Sequence, residues 1–479
     1  VIGKMICTHG PRYLLGCLLL MLLGFFALPP HANAEAGLPA EARIRIDDAV
    51  NQTLSATGTP SASVAVVLNG KIAYLQAYGL ANLESSIAAR TDMRYCIGSI
   101  SKQFTSTAIL MLAEAHKLSL DDPVSKYVPG LTRGTEISIR SVLSMTSGYQ
   151  DFWPQDYVPP MMLKPVTPEE ILSRWARIPL DFDPGTKWQY SNTNYTIAGM
   201  IIEKASGMPL MNFLQRQIFH PLQMKSVVSM HVAKDTPSDP IGYLKYALGP
   251  PRKAPKEGNG WMLAAGELAM TASDLAQWDI SIIEQKLLKP VSYQQLESEV
   301  LLKNGVGTHY GLGMNVAMEQ GRRVLSHGGE VSGFVAQNTV FPDDRAAIVV
   351  LTNLDATVSA ERIERKIRQV IFPDQDKSLG ERLALVRRIL SDLQRGQIDR
   401  SLFTDNCNHY FDAQAINDFA ASLSPLGTPE EFTQSSHGQR GGMGFRAYAV
   451  RFKNGKSVRI IMRDMPDGKI EQYQIGAAE

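Results

Sequence analysis

The feature that most limits what this chain can fold into is a pair of β-forming blocks held far apart by helical sequence. In the first block, β-rich runs at residues 64–68 and 72–77 are joined by Asn69-Gly70. Both turn residues tolerate positive φ, which a tight two-residue hairpin requires. The second block comprises runs at 322–326, 334–341 and 346–352. Between the blocks, from about 118 to 299, helical periods alternate with Pro- and Gly-rich loops and strand-like runs are few. Helical patterns also flank the blocks at 40–54 and 358–371. A strand block cannot bury its apolar face alone. The two blocks are therefore expected to share one sheet built from both ends of the chain, an α+β core carrying a mainly helical insertion.

A second, smaller α+β domain is expected after a polar, proline-bearing linker at 372–377. Helical patterns at 379–394 and 413–423 precede strand runs at 445–452, 457–462 and 470–475, with Asn454-Gly455 and Asp467-Gly468 where hairpin turns belong. This order of elements resembles the cone-shaped nuclear-transport-factor-2-like fold. The expected boundaries are 1–34, 35–373 and 374–479. A length of 479 residues with 44% apolar content supplies core for two such units.

Lys4 and Arg12 precede an apolar run from Leu14 to Leu28, which Pro29-Pro30 and Ala32-Asn33-Ala34 follow. This pattern reads as a secretory signal peptide cleaved after Ala34, with Met5 as the candidate start. A membrane span is the rival reading, but the run is about 15 residues long and a span needs ~20. Export, most simply to a bacterial periplasm, follows. Basic residues number 48 and acidic ones 47, and without a run of like charge nucleic acid is excluded as the main partner. Outside the leader only Cys96 and Cys407 remain, read as two separate thiols or a bridge between domains; no metal-ligand spacing is present.

Three short motifs carry chemistry. Ser99-Ile100-Ser101-Lys102 lies at the expected start of a helix whose apolar face is Phe104, Ala108, Met111 and Leu112. Three residues is nearly one helical turn, so the Lys102 amine stands beside the Ser99 hydroxyl and can take its proton when burial keeps the amine partly neutral. Taken alone, the motif could equally be a helix-capping serine with a solvated lysine. Tyr190-Ser191-Asn192 offers a phenol to move a proton and an amide to orient a substrate, although both residue types are common in loops. His327-Gly328-Gly329 is expected just after the strand at 322–326, where two glycines let a backbone approach and a histidine can carry charge or donate.

Together these motifs resemble the serine β-lactamase and penicillin-binding-protein superfamily, in the branch with class C β-lactamases, D-aminopeptidases, DD-carboxypeptidases and family VIII esterases. The resemblance spans about 40–371 and includes Val142-Leu143-Ser144-Met145-Thr146-Ser147-Gly148, His220-Pro221-Leu222-Gln223-Met224 and Thr271-Ala272-Ser273-Asp274-Leu275. It implies Ser99 as nucleophile, Lys102 as base, Tyr190 as proton-transfer partner and Asn192 as substrate holder, with the backbone N–H groups of Ser99 and Glu330 as oxyanion hole. His327, Gly328 and Gly329 stand where the family commonly has Lys-Thr-Gly. The change weakens a fixed positive charge and removes a hydroxyl, which points away from strong β-lactam hydrolysis toward small esters or peptide-like amides, so that an esterase, a D-amino-acid peptidase or a weak β-lactamase is expected. No cofactor is implied. A penicillin- or peptidoglycan-binding protein with little turnover is the alternative, and the oligomeric state is not readable.

Overall fold

The structure is a computed structural model that describes residues 37–155, 157–231, 239–319, 321–373 and 379–477. The leader assigned to 1–34 lies outside the described residues. Those described fall into two compact units, one up to Phe372 and one from Pro373 onward.

In the first unit, helix α1 (Ala40–Thr57) leads into β1 (Ser61–Leu68) and β2 (Lys71–Asn82). Asn69 and Gly70 take φ values of 53° and 73°, so the Asn-Gly pair makes the expected turn. A two-residue β3 (Ile87–Ala88) follows. The later block supplies β4 (Asn315–Glu319), β5 (Arg322–Val331), β6 (Phe334–Phe341) and β7 (Ala346–Thr352). These seven strands form one antiparallel sheet in the order β3-β2-β1-β7-β6-β5-β4. Pairing of β1 with β7, from Ala62 opposite Thr352 to Val67 opposite Ala347, joins the two ends of the chain.

Helices cover both faces of this sheet. Alternate residues of β1 and β7, Val64, Val66, Ile348 and Val350, pack with α1 and the closing helix, Ser359–Ile371. The intervening Ala65, Val67, Val349 and Leu351 join a larger core with the helical layer. That layer holds α2 (Ser101–Glu114), α3 (Asn192–Ser206), the short α4 (Leu263–Gly266) and α5 (Ala272–Ile283); the closing helix is α6. Every residue of α2 from Ser101 to Leu110 is buried, polar ones included. Its amphipathic pattern is therefore weaker than its central position would suggest. Two strands of the insertion, Leu268–Met270 and Val228–Ser229, form a three-stranded sheet with Tyr95–Cys96, which precedes it. Strands this short show no readable period.

The second unit places α7 (Leu379–Gln394), α8 (Asp405–Tyr410) and α9 (Ala413–Leu423) before a four-stranded antiparallel meander. Its strands are β8 (Pro429–Arg440), β9 (Met443–Phe452), β10 (Ser457–Asp464) and β11 (Ile470–Ala477). Val386, Ile389 and Leu393 of α7 share a core with Tyr448, Ile460 and Tyr473 of the sheet. Cys96 and Cys407 are both free thiols. Among the described residues, no helix is long and apolar enough to cross a membrane.

Candidate active site

The chain leaves the Tyr95–Cys96 strand through a 3-10 turn, Gly98–Ile100, that carries Ser99 and runs into α2. Ser99 thus sits just before the α-helix rather than opening it. Gly98 takes φ +50°, and a Cβ there would lie 2.6 Å from the backbone nitrogen of Glu330. Across the gap, a Cβ on Gly329 would lie 1.9 Å from the carbonyl oxygen of Ile97. Only glycine at both positions lets β5 close on this turn.

That approach explains where His327-Gly328-Gly329 resides. The motif is inside β5 and not beyond its end: β5 stays paired with β6 from Leu325 to Val331, while β4 pairs with it only from Arg322 to Ser326. From His327 onward this edge of β5 is left to the Ser99 turn. Val331 pairs with Phe334 across a two-residue hairpin, so bonded pairs fall at Val331, Gly329 and His327. The N–H groups of Gly328 and Glu330 consequently point off the free edge.

Lys102, the second residue of α2, is fully buried. Its Nζ lies 2.9 Å from Ser99 Oγ, 2.9 Å from Asn192 Oδ1 and 2.7 Å from the Ala265 carbonyl oxygen. Burial pushes its amine down to about 7, against the opposing pull of Asp151. Two of the three partners only accept. A neutral amine therefore donates to Asn192 and Ala265 and keeps its lone pair for the Ser99 hydroxyl. Tyr190, two residues before α3, donates to Ser99 Oγ at 2.7 Å.

Asp151 was not among the residues singled out from sequence. It accepts from the backbone N–H of Asn192 at 2.9 Å, capping α3, and from the Asn192 side chain at 3.4 Å. The amide is thereby turned so that its oxygen faces Lys102. Burial raises the Asp151 carboxyl, while the backbone N–H groups of Asn192 and Trp153 act the other way. The one sequence clue was position, three residues after Gly148 at the end of a family-like segment.

His327 Nδ1 lies 2.5 Å from the carbonyl oxygen of Gly328, and Nε2 lies 3.0 Å from Tyr310 Oη. A carbonyl only accepts, so the hydrogen is assigned to Nδ1 and Nε2 accepts from Tyr310. Burial first, then the Lys102 charge, push the imidazole down to about 4. It is neutral near pH 7. Tyr310, buried beside it, had no motif to reveal it. Ser99, Tyr190, Asn192, His327, Gly328, Gly329 and Glu330 all line one cleft of about 860 Å³. The structure thus gathers every residue that the three motifs nominate.

Fold and cluster together are those of serine hydrolases of the β-lactamase and penicillin-binding-protein superfamily. A sequence model of the Beta-lactamase family matches residues 46–371, more than half of the chain, and the protein belongs to that family. Protein flp of Staphylococcus aureus strain MW2 is 27% identical over 346 residues, covering 70% of this chain and 68% of its own. A D-aminopeptidase of Brucella anthropi is 26% identical over 339 residues, or 70% of this chain and 62% of that protein. Among solved structures, a D-stereospecific amidohydrolase from Streptomyces superposes with a TM-score of 0.60 at 25% identity, covering 69% of this chain and 99% of that one. An octameric penicillin-binding protein homologue from Pyrococcus abyssi gives 0.61 at 19% identity over 90% and 99% of the two chains, which shows the fold alone.

Proposed function

We propose that this protein is an exported hydrolase that cleaves small esters or peptide-like amides through an acyl group carried on Ser99. The observation that supports it most is the state of Lys102. Its amine is buried, lowered to about 7, and has two acceptor-only partners that leave a lone pair for Ser99. In this reading Ser99 Oγ bonds to the substrate carbonyl carbon as its proton passes to Lys102 Nζ. The bond to the leaving group then breaks while Tyr190 hands that group a proton and is reprotonated from Lys102. Water repeats the sequence on the acyl-enzyme, releasing the acid and restoring Ser99. Backbone N–H groups of Ser99 and Glu330 hold the oxyanion, and Asn192, oriented by Asp151, positions the substrate.

The D-aminopeptidase and the amidohydrolase among the relatives agree with an amide substrate. Export is supported by the Leu14–Leu28 run with its basic and small-residue flanks. The nuclear-transport-factor-2-like reading of the C-terminal unit is supported by element order. The test is turnover of a penicillin, a chromogenic cephalosporin, a short-chain p-nitrophenyl ester and a D-alanyl amide by wild type beside Ser99→Ala. Hydrolysis of the ester or amide that disappears in the variant is the expected result. No turnover of any of the four, or turnover that survives the substitution, overturns the reading.

A further inference from the structure

The buried amine of Lys102 is surrounded by more than hydrogen-bond partners. Its nitrogen lies over two aromatic rings, 5.0 Å from the centroid of Tyr190 and 5.4 Å from that of Tyr195. Tyr195 follows Asn192 by three residues, so one side of α3 presents the Asn192 oxygen and this ring together to Lys102. The ring is pinned at its far end. Tyr195 Oη donates its one hydrogen to the Leu143 carbonyl at 2.9 Å, so Ser106, one turn beyond Lys102 and 3.1 Å from that oxygen, donates to it. The chain passes close by at Gly313, which takes φ +83°; a Cβ there would lie 2.9 Å from Tyr195 Oη and 2.8 Å from the Lys102 carbonyl oxygen.

An amine that accepts the Ser99 proton becomes a buried ammonium, which must be stabilised where it stands. The groups that face it are Ser99 from the 3-10 turn, Asp151 and Tyr190 from the segments leading to α3, Asn192 and Tyr195 from α3, Ala265 from α4 and His327 from β5. Asp151 is the carboxylate of this set, and the Asn192 amide, to which its Oδ2 bonds, stands between it and the amine. His327 is neutral. Burial raises the Tyr195 phenol, so this side chain stays protonated and acts through the electron-rich face of a neutral ring. A desolvated cation gains most from such a face.

We propose that Tyr195 is a positioning residue for acyl transfer, its ring face stabilising the ammonium form of Lys102 as the proton leaves Ser99 Oγ. The proposal rests on reading Ser99 and Lys102 as the hydrolytic pair and adds a group that sets the basicity of the amine. Replacing Tyr195 by phenylalanine, then by 4-fluoro-, 3,5-difluoro- and pentafluorophenylalanine, nearly preserves the shape of the ring while drawing electron density from its face. The readout is kcat/KM for p-nitrophenyl acetate against pH, with melting temperature as the check on folding.

Tyr195→Phe is expected to keep the wild-type inflection near 7. The fluorinated rings are expected to move it down in order, by about one pH unit at the pentafluoro compound, whereas a packing role alone gives no ordered shift. A 3-fluorotyrosine at the same position retains the hydroxyl that Leu143 and Ser106 hold. It is expected to move the inflection the same way by a smaller step, which tests the proposal even if the phenylalanine series does not fold. An inflection unmoved by 3-fluorotyrosine or by the fluorinated phenylalanines, or one that moves as far in Tyr195→Phe as with the pentafluoro ring, overturns the role of Tyr195 and leaves the hydrolase reading intact. No ester release by wild type, or release that survives Ser99→Ala, overturns both.

Discussion

The two faces of the seven-stranded sheet are made by alternate residues of the same strands, yet they bury different chemistry. Toward α1 and α6, Val64, Val66, Ile348 and Val350 meet Ile46, Val50, Ile363 and Ile367, and every one of these is buried. Toward the helical layer, Val67, Val349 and Leu351 share the interior with Lys102, His327, Asp279 and Asn338, all buried as well. Branched aliphatics need only to be packed, whereas a buried polar side chain must find partners or change its protonation. On the second face both outcomes occur. Lys102 has three hydrogen-bond partners and a lowered pKa, and His327 is held in one neutral tautomer.

Removing the amine tests that contrast most severely. Lys102→Met is expected to lower kcat by about a thousandfold or more, measured with a p-nitrophenyl ester, while the melting temperature stays near that of wild type. On the opposite face, Ile363→Ala is expected to cost about 2–5 kcal/mol in chemical denaturation and to leave kcat of the folded fraction unchanged. A large loss of kcat in this variant would break the division of labour between the faces.

Acidity separates the faces next. Since Lys102 must be neutral to accept the Ser99 proton, kcat/KM for a neutral ester is expected to rise with pH up to about 7 and then level. His327 adds no step near 6.5, because it is held down at about 4. For stability the sign is fixed by which state keeps the proton. The unfolded chain holds the Lys102 proton up to 10.5 and the folded chain loses it at about 7, so this group makes stability rise with pH between those values.

Asp279 works in the opposite sense and gives the smallest effect. Its Oδ1 accepts from Asn338 Nδ2 at 2.8 Å, while its Oδ2 and the Asn338 Oδ1 have no partner. Burial raises its carboxyl well above 3.8, and a protonated Oδ2 would donate to that orphaned oxygen. Here the folded state keeps the proton and the unfolded state releases it, so stability falls as pH climbs past 3.8. Asp279→Asn supplies the same pair of hydrogen bonds without the proton. It is expected to change stability by less than about 1 kcal/mol at about pH 3, where both states of wild type hold the proton, and to remove the fall above that pH, read from melting temperature against pH.

Much of this architecture was legible because local and tertiary demands coincide. The Asn69-Gly70 turn, the strands at 334–341 and 346–352 and the helices at 379–394 and 413–423 all carry their own period or turn chemistry. Strand β8 was not foreseen. It is exposed along most of its length, with Phe432 its buried hydrophobe, so it has no alternation to read. The glycines at 328 and 329 suggested a strand end, whereas the use of Gly329 is close passage of β5 against the Ser99 turn. Ser99, Lys102, Tyr190 and Asn192 could be nominated from spacing and resemblance. Asp151, Tyr310 and the Ala265 carbonyl could not, because their contribution is a distance set by tertiary packing.

The central claim, that Ser99 carries the acyl group, is tested most directly by intact-protein mass spectrometry after brief exposure to a p-nitrophenyl ester, followed by peptide mapping. The account predicts one added acyl mass on the peptide containing Ser99 in wild type and none in Ser99→Ala. An acyl mass that persists in Ser99→Ala, or that maps to another residue in wild type, would contradict it.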